Sequence, residues 1–225
     1  MKYLLVNLLV SFSIIAAAQD SSIVVTKNFQ FKDGIYLSFE EFQMNSPTYL
    51  IDEIFIHSFT NPQTFLTQVD SVFHIKEKKE IDPEKIWAIC MDGVPFLKIP
   101  KKEVHKELPS FAALKLRGKI CYFTYPDYRI KKVPVAAYNP LTGRPYLRGE
   151  VERDEKVVIE KMFHFETGEI VDFNVDNFLK WIQEDRHLVE TIERTPIEEV
   201  REKLFRLLLI YVDRHETKIK MKNDE

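Results

Sequence analysis

The sequence predicts an α+β fold: an antiparallel β meander of about ten strands, curled as a barrel or folded as a sandwich, with C-terminal helices packed on it. Three observations lead there. Between Ile23 and Phe173, short apolar-alternating runs are separated by glycine-bearing dipeptides of the kind that close tight hairpins. The links between runs are mostly too short for the long crossovers that parallel strands require. After Asn174 the apolar period changes from that of a strand to that of a helix.

The first element is not part of that fold. Lys2, an apolar run from Tyr3 to Ile15 and the alanines Ala16–Ala18 have the layout of a cleaved secretory signal. Asn7, Ser11 and Ser13 interrupt the run, which falls short of the roughly 20 apolar residues of a membrane span. The competing readings are a retained anchor or a buried strand. Cleavage is expected after Ala18, and no cysteine follows to carry a lipid. Loss of residues 1–18 removes only Lys2, so the remaining chain carries 31 basic and 35 acidic side chains, net −4. No membrane span is expected after cleavage.

A β-rich core follows over 19–173. Asn28–Phe31 and Ile35–Leu37 read as a first hairpin with Asp33-Gly34 at its tip. Ser38-Phe-Glu-Glu41 then opens a short helix near 39–45. The Ser38 oxygen is placed to accept the Glu41 N–H, and the Glu41 carboxylate to reach back to the N–H of Ser38. Pro47 sets the limit of that helix. Ile51–Phe59 and Thr64–Ile75 are two longer alternating runs. Further hairpins are Lys85–Met91 with Val94–Ile99 about Asp92-Gly93, and Phe111–Leu116 with Lys119–Tyr125 about Arg117-Gly118. Val133–Tyr138 and Arg144–Val151 flank the turn 139–143, and Val157–Phe165 with Glu169–Phe173 close about Thr167-Gly168.

The segment 174–215 belongs to the same domain. Asn174 is a good cap for a helix bearing Phe178, Trp181 and Ile182, with Leu188, Val189 and Ile192 beyond a break near Glu184-Asp185. Thr195-Pro-Ile-Glu198 reads as a second capping box, with Thr195 as cap and Glu198 as its reciprocal partner. It opens a helix carrying Val200, Leu204, Leu207, Leu208 and Tyr211 on one side. Residues 216–225 read as a frayed polar tail.

Chemistry is hard to place on this chain. The mild, dispersed acidity speaks against nucleic-acid binding, which needs a concentrated basic face. Glu40 and Glu41 are adjacent carboxylates, yet side chains one apart on a helix diverge by about 100° and do not flank one bond. The six histidines show no metal-ligand spacing, and neither a Gly-x-Ser-x-Gly elbow nor a glycine-rich phosphate loop occurs. No catalytic, cofactor or metal residue is therefore assigned. Cys90 and Cys121, the only cysteines, read either as a disulfide of roughly 3–4 kcal/mol or as buried free thiols. Tyr122, Tyr125 and Tyr128 are candidate ligand-contact aromatics, although alternation sends Tyr122 and Tyr125 to opposite faces and Tyr128 falls in an expected turn.

The stretches "DGIYLSFEEFQMNSP", "IWAICMDGVPFLKI" and "TGEIVDFNVDNFLKWIQEDRHLVETIE" together resemble a group of uncharacterised secreted proteins of Gram-negative bacteria, of domain-of-unknown-function type. The shared residues are turn glycines, caps and core aromatics. The resemblance implies a periplasmic or outer-surface protein and carries no catalytic residues. The expected function is a non-catalytic module binding another protein or a surface glycan. The alternatives are a hydrolase or isomerase whose site converges only in three dimensions, or a small-ligand carrier if the meander closes into a hollow barrel.

Overall fold

The computed structural model describes residues 22–103, 106–138 and 140–220; the expected signal segment 1–18 lies outside them. The first strands are β1 (Ser22–Val25), β2 (Gly34–Tyr36), β3 (Tyr49–Leu50), β4 (Ile54–Thr60), β5 (Leu66–His74) and β6 (Lys79–Ile81). They are followed by β7 (Ala88–Met91), β8 (Val94–Ile99), β9 (Ser110–Leu116), β10 (Ile120–Tyr138), β11 (Pro145–His164) and β12 (Ile170–Asp172). A short helix α1 (Phe39–Gln43) lies after β2. The helices α2 (Val175–Trp181), α3 (Arg186–Arg194) and α4 (Ile197–Arg214) precede a last strand, β13 (Thr217–Lys220). The fold is α+β, and every strand pairing is antiparallel.

The main sheet follows an open path, β12-β11-β10-β9-β8-β7-β2-β3, with β4, β5 and β6 branching from it. It does not close into a barrel, so the condition attached to the carrier reading is not met. The branch point is β9. One edge pairs with β8, while the other pairs with β5 through Ser110–Ala112 and with β10 through Leu114 and Leu116. Accordingly β9 feeds all three apolar cores: Phe111 and Ala113 face the β4–β6 side, Ala112 and Leu114 face the central core, and Leu116 faces the helices. The central core is the filling of a sandwich. Alternation along β10 assigns its faces, with Cys121, Phe123 and Tyr125 inside the sandwich and Tyr122 under the helices.

Helix α1 plugs the central core. Phe42 is fully buried, stacked on Phe31 at 4.5 Å between ring centres and within 5.2 Å of Trp87. Its cap forms, with a shift of one residue. Ser38 accepts from the Glu41 N–H at 3.3 Å, and Glu41 accepts from the N–H of Leu37, rather than Ser38, at 2.7 Å. Asn45, at φ 51°, turns the chain out of the helix. Its carboxamide oxygen accepts from the Lys32 N–H and the Tyr36 hydroxyl.

Several expectations are corrected. Asn28–Phe31 is not a strand, and Asp33-Gly34 is not a hairpin tip. Strand β2 lies between β3 and β7, with Gly34 opposite Leu50 and Cys90. Gly34 is there because the Tyr49 carbonyl comes within 2.2 Å of where a Cβ would sit, at φ 152°. The Asp92-Gly93 hairpin forms as expected, with both residues at positive φ. Residues 119–125 and 133–138 are one strand, and 144–151 and 157–165 another, paired from Ile120↔His164 outward. Tyr128 is therefore opposite Lys156 in a ladder, not in a turn. Thr195 does not cap α4, whose first turn has no side-chain cap; its hydroxyl donates back to the Thr191 carbonyl at 2.7 Å, and Glu198 is exposed. Part of the expected frayed tail is ordered. Thr217 and Ile219 alternate inward as β13, which pairs with β1.

Candidate functional site

Two features stand out from the packed body: a cleft at the mouth of the sandwich, and a β arm that leaves it. The cleft has a volume of about 430 Å³. One wall is Ile86, Trp87, Leu97 and Ile99; the other is Phe123 and Tyr125 of β10 with Lys161 of β11. The register explains the second wall. Phe123 and Lys161 are opposed in the ladder, so Lys161 emerges on the same inward face as Tyr125.

Inside the cleft the polar groups hold one another. The Tyr125 hydroxyl donates to Glu103 Oε2 at 2.5 Å, and Lys161 Nζ reaches the same oxygen at 2.7 Å and Asp172 Oδ1 at 2.9 Å. Burial and the Glu103 carboxylate push the Tyr125 phenol well above its ordinary value. Burial alone would raise the Glu103 carboxyl, but hydrogen bonds from Lys161 and Tyr125 outweigh it and hold the group below its ordinary range. Burial alone would lower Lys161; the bonds and charges of Glu103 and Asp172 reverse that and raise it. Each group is thus locked in its resting state: phenol, carboxylate, ammonium. A general base or an amine nucleophile needs the opposite tuning, toward neutrality of pH. Nearer solvent, Glu84 pairs with Lys98 at 2.8 Å and with Lys101 at 3.7 Å.

The arm is the outer part of the β10–β11 ladder. Strand β10 pairs with β9 only through Tyr122 and Phe123, and β11 pairs with β12 only through Lys161–Phe163. Beyond them, from Tyr128 to Tyr138, each strand pairs only with the other among the described residues, over about 35 Å at the usual strand rise. Tyr128 is 50% exposed, Ile130 69% and Tyr138 61% on one face; Val135 and Val151 are exposed on the other. Lys131 pairs with Glu155 at 2.7 Å. The signal sequence reasoning missed was the unbroken alternation through Pro126, which sits where β10 has no neighbour on its outer edge.

The three tyrosines do not form one surface. Tyr122 is buried under the helices against Phe173 and Phe205, with its hydroxyl bonded to Glu160. Tyr125 faces the cleft, and Tyr128 lies on the arm with Lys106 Nζ 5.9 Å from its ring centre. Of the two readings of Cys90 and Cys121, the structure has the buried free thiols. Both thiols are free and buried in the central core; Cys90 Sγ donates to the Phe31 carbonyl and Cys121 Sγ to that of Gly118. Glu40 and Glu41 remain at the start of α1, with the Glu41 carboxylate held by the Leu37 N–H. Among the described residues, no group of three His, Cys, Asp or Glu side chains is placed to hold a metal ion. No helix among them is long and apolar enough to cross a membrane.

A second polar cluster ties the helices to the sheet. Glu184 accepts from Lys119 at 2.8 Å and from the Tyr211 hydroxyl at 2.7 Å. Asp185 caps α3 through the Leu188 N–H and faces Arg214 and His215, each at 3.3 Å. Every acidic group here has a structural partner. No family model, curated protein or solved structure matches the chain.

Proposed function

We propose that this chain is a secreted, non-catalytic interaction module of a Gram-negative cell envelope, which engages a partner through its β10–β11 arm. The N-terminal pattern of charge, apolar run and alanines supports export, and the resemblance of the three quoted stretches supports the envelope.

The observation that carries the interaction reading is the arm itself. A lone two-stranded ribbon is marginal in water, and burial of its side chains on a third surface is what makes such ribbons persist. This one leaves the core at Asp127 and exposes apolar side chains on both faces. Among the described residues no other strand pairs with its two outer edges over most of its length, so they offer the backbone N–H and C=O groups that take up an added strand. Charged residues along it, including Arg129, Lys131, Glu152 and Glu155, restrain indiscriminate pairing between copies. An extended protein segment fits those edges best; a surface glycan is the other class of partner and would use Tyr128 and Tyr138 instead.

The test is a shortened variant in which Asp127 and Val157, opposite one another in the ladder, are joined by an Asn-Gly turn. The full protein in gentle extracts of its own cells should migrate heavier than the purified chain. The shortened variant should keep its thermal midpoint and migrate as the free chain. Identical migration of the two in extracts would overturn the reading.

A further inference from the structure

We propose that the cleft between Trp87 and Tyr125 is a binding site for an uncharged apolar molecule bearing a hydroxyl, which docks between Lys161 and Glu103. This goes beyond the arm reading and does not depend on it. The volume of about 430 Å³ falls within the roughly 300–1,000 Å³ of small-molecule sites. The walls are mainly aliphatic, with Trp87, Phe123 and Tyr125 as their aromatic part, so the body of the ligand is apolar.

Charge decides the rest. The charges at both ends of the cleft are already paired, Lys161 with Glu103 and Asp172, and Glu84 with Lys98 and Lys101, while Lys85 is exposed at the rim. An added charge of either sign would shed its hydration against apolar walls and meet opposite charges that are already paired. At the inner end, Lys161 is 13% exposed and spends two of its three N–H donors on Glu103 and Asp172. Both bonds that reach Glu103 end on Oε2, so Oε1 carries neither. A hydroxyl both accepts and donates. One such group accepts from the third Lys161 N–H and donates its O–H to Glu103 Oε1. An ether or ketone does only the first, and an ammonium only the second.

Calorimetric titration of the full chain with 1-octanol, octanoate, octylammonium and octyl methyl ether tests this. Octanol should bind saturably with one site and at least tenfold more tightly than each of the other three. Two variants guard against misfolding as a trivial explanation. Ile170→Phe, at a partly exposed lining position, should keep the thermal midpoint and abolish octanol binding. Lys161→Met should narrow the octanol–ether gap to less than threefold. The shortened-arm variant should bind octanol as the full chain does. Absence of saturable octanol binding, equal or tighter binding of a charged probe, or full binding by Ile170→Phe would overturn the proposal.

Discussion

Replacing Gly34 by alanine is expected to destabilise the protein by about 2–5 kcal/mol, clearly more than the same change at Gly93. Both glycines follow an aspartate and both have positive φ, 152° and 70°. The backbone penalty for a side chain is about 1–2 kcal/mol at Gly93, in the left-handed region, and of the same order at Gly34, in the glycine-favoured region at larger φ. The surroundings differ. At Gly93 a new Cβ meets only the Gln30 side chain, at 2.8 Å, and that chain rotates away. At Gly34 it meets the Tyr49 carbonyl oxygen at 2.2 Å and Pro47 Cβ at 3.0 Å. A backbone oxygen in the β2–β3 ladder moves only if β3 moves, and such overpacking adds about 1–3 kcal/mol. Thermal unfolding followed by tryptophan fluorescence measures both variants. In a chain of this size each kcal/mol corresponds to about 2–4 °C of midpoint, so the two should differ by several degrees. Equal losses, or a larger loss at Gly93, would refute the placement of β2 between β3 and β7.

Phe42→Ala should cost about 3–5 kcal/mol, the usual loss for a buried phenylalanine, measured by the same unfolding curves; a loss below 1 would mean α1 does not plug the core. Cys90 and Cys121 should resist thiol reagents in the native state and react together only on unfolding, because burial raises both thiols, Cys121 to about 12; a mass decrease of one disulfide in unreduced protein would contradict this. Acid should weaken the sheet–helix contact. Burial alone would raise Asp185, but Leu188, His215 and Arg214 outweigh it and hold it low, and Lys119 and the Tyr211 hydroxyl hold Glu184 low. Carboxyls depressed in the folded state stabilise above their ordinary range, about 3.9–4.3, and that contribution is lost as pH falls through the lower folded values. The thermal midpoint should fall over that interval, and less steeply in Asp185→Asn; an unchanged slope would count against the network.

Local chemistry explains what was legible in the chain. Asp92-Gly93 and Thr167-Gly168 marked hairpins because each glycine supplies the positive φ of a turn between strands that are neighbours in the chain. Asn174 marked α2 because its side chain accepts the Asn177 N–H directly. Gly34 misled because its role depends on Tyr49, which packs from another strand. Thr195 misled because the α3 carbonyl of Thr191 competes for its hydroxyl. The cleft was invisible for a similar reason. Glu103, Tyr125 and Lys161 come from a 3₁₀ turn and two strands, and only the β10–β11 register and the fold of the sandwich bring them together. Tyr125 was singled out in the sequence, but as one of a platform that alternation disperses.

The arm reading is tested most directly by photo-crosslinking in cells that make the protein, with a photoreactive residue at Ile130, Val135 or Tyr138 and, as a control, at exposed Glu193 on α3. Discrete adducts of one mass from the arm positions, absent at Glu193, are the predicted result. Light that yields no arm adduct, or the same adducts from Glu193, would contradict the claim that the arm is where this protein meets its partner.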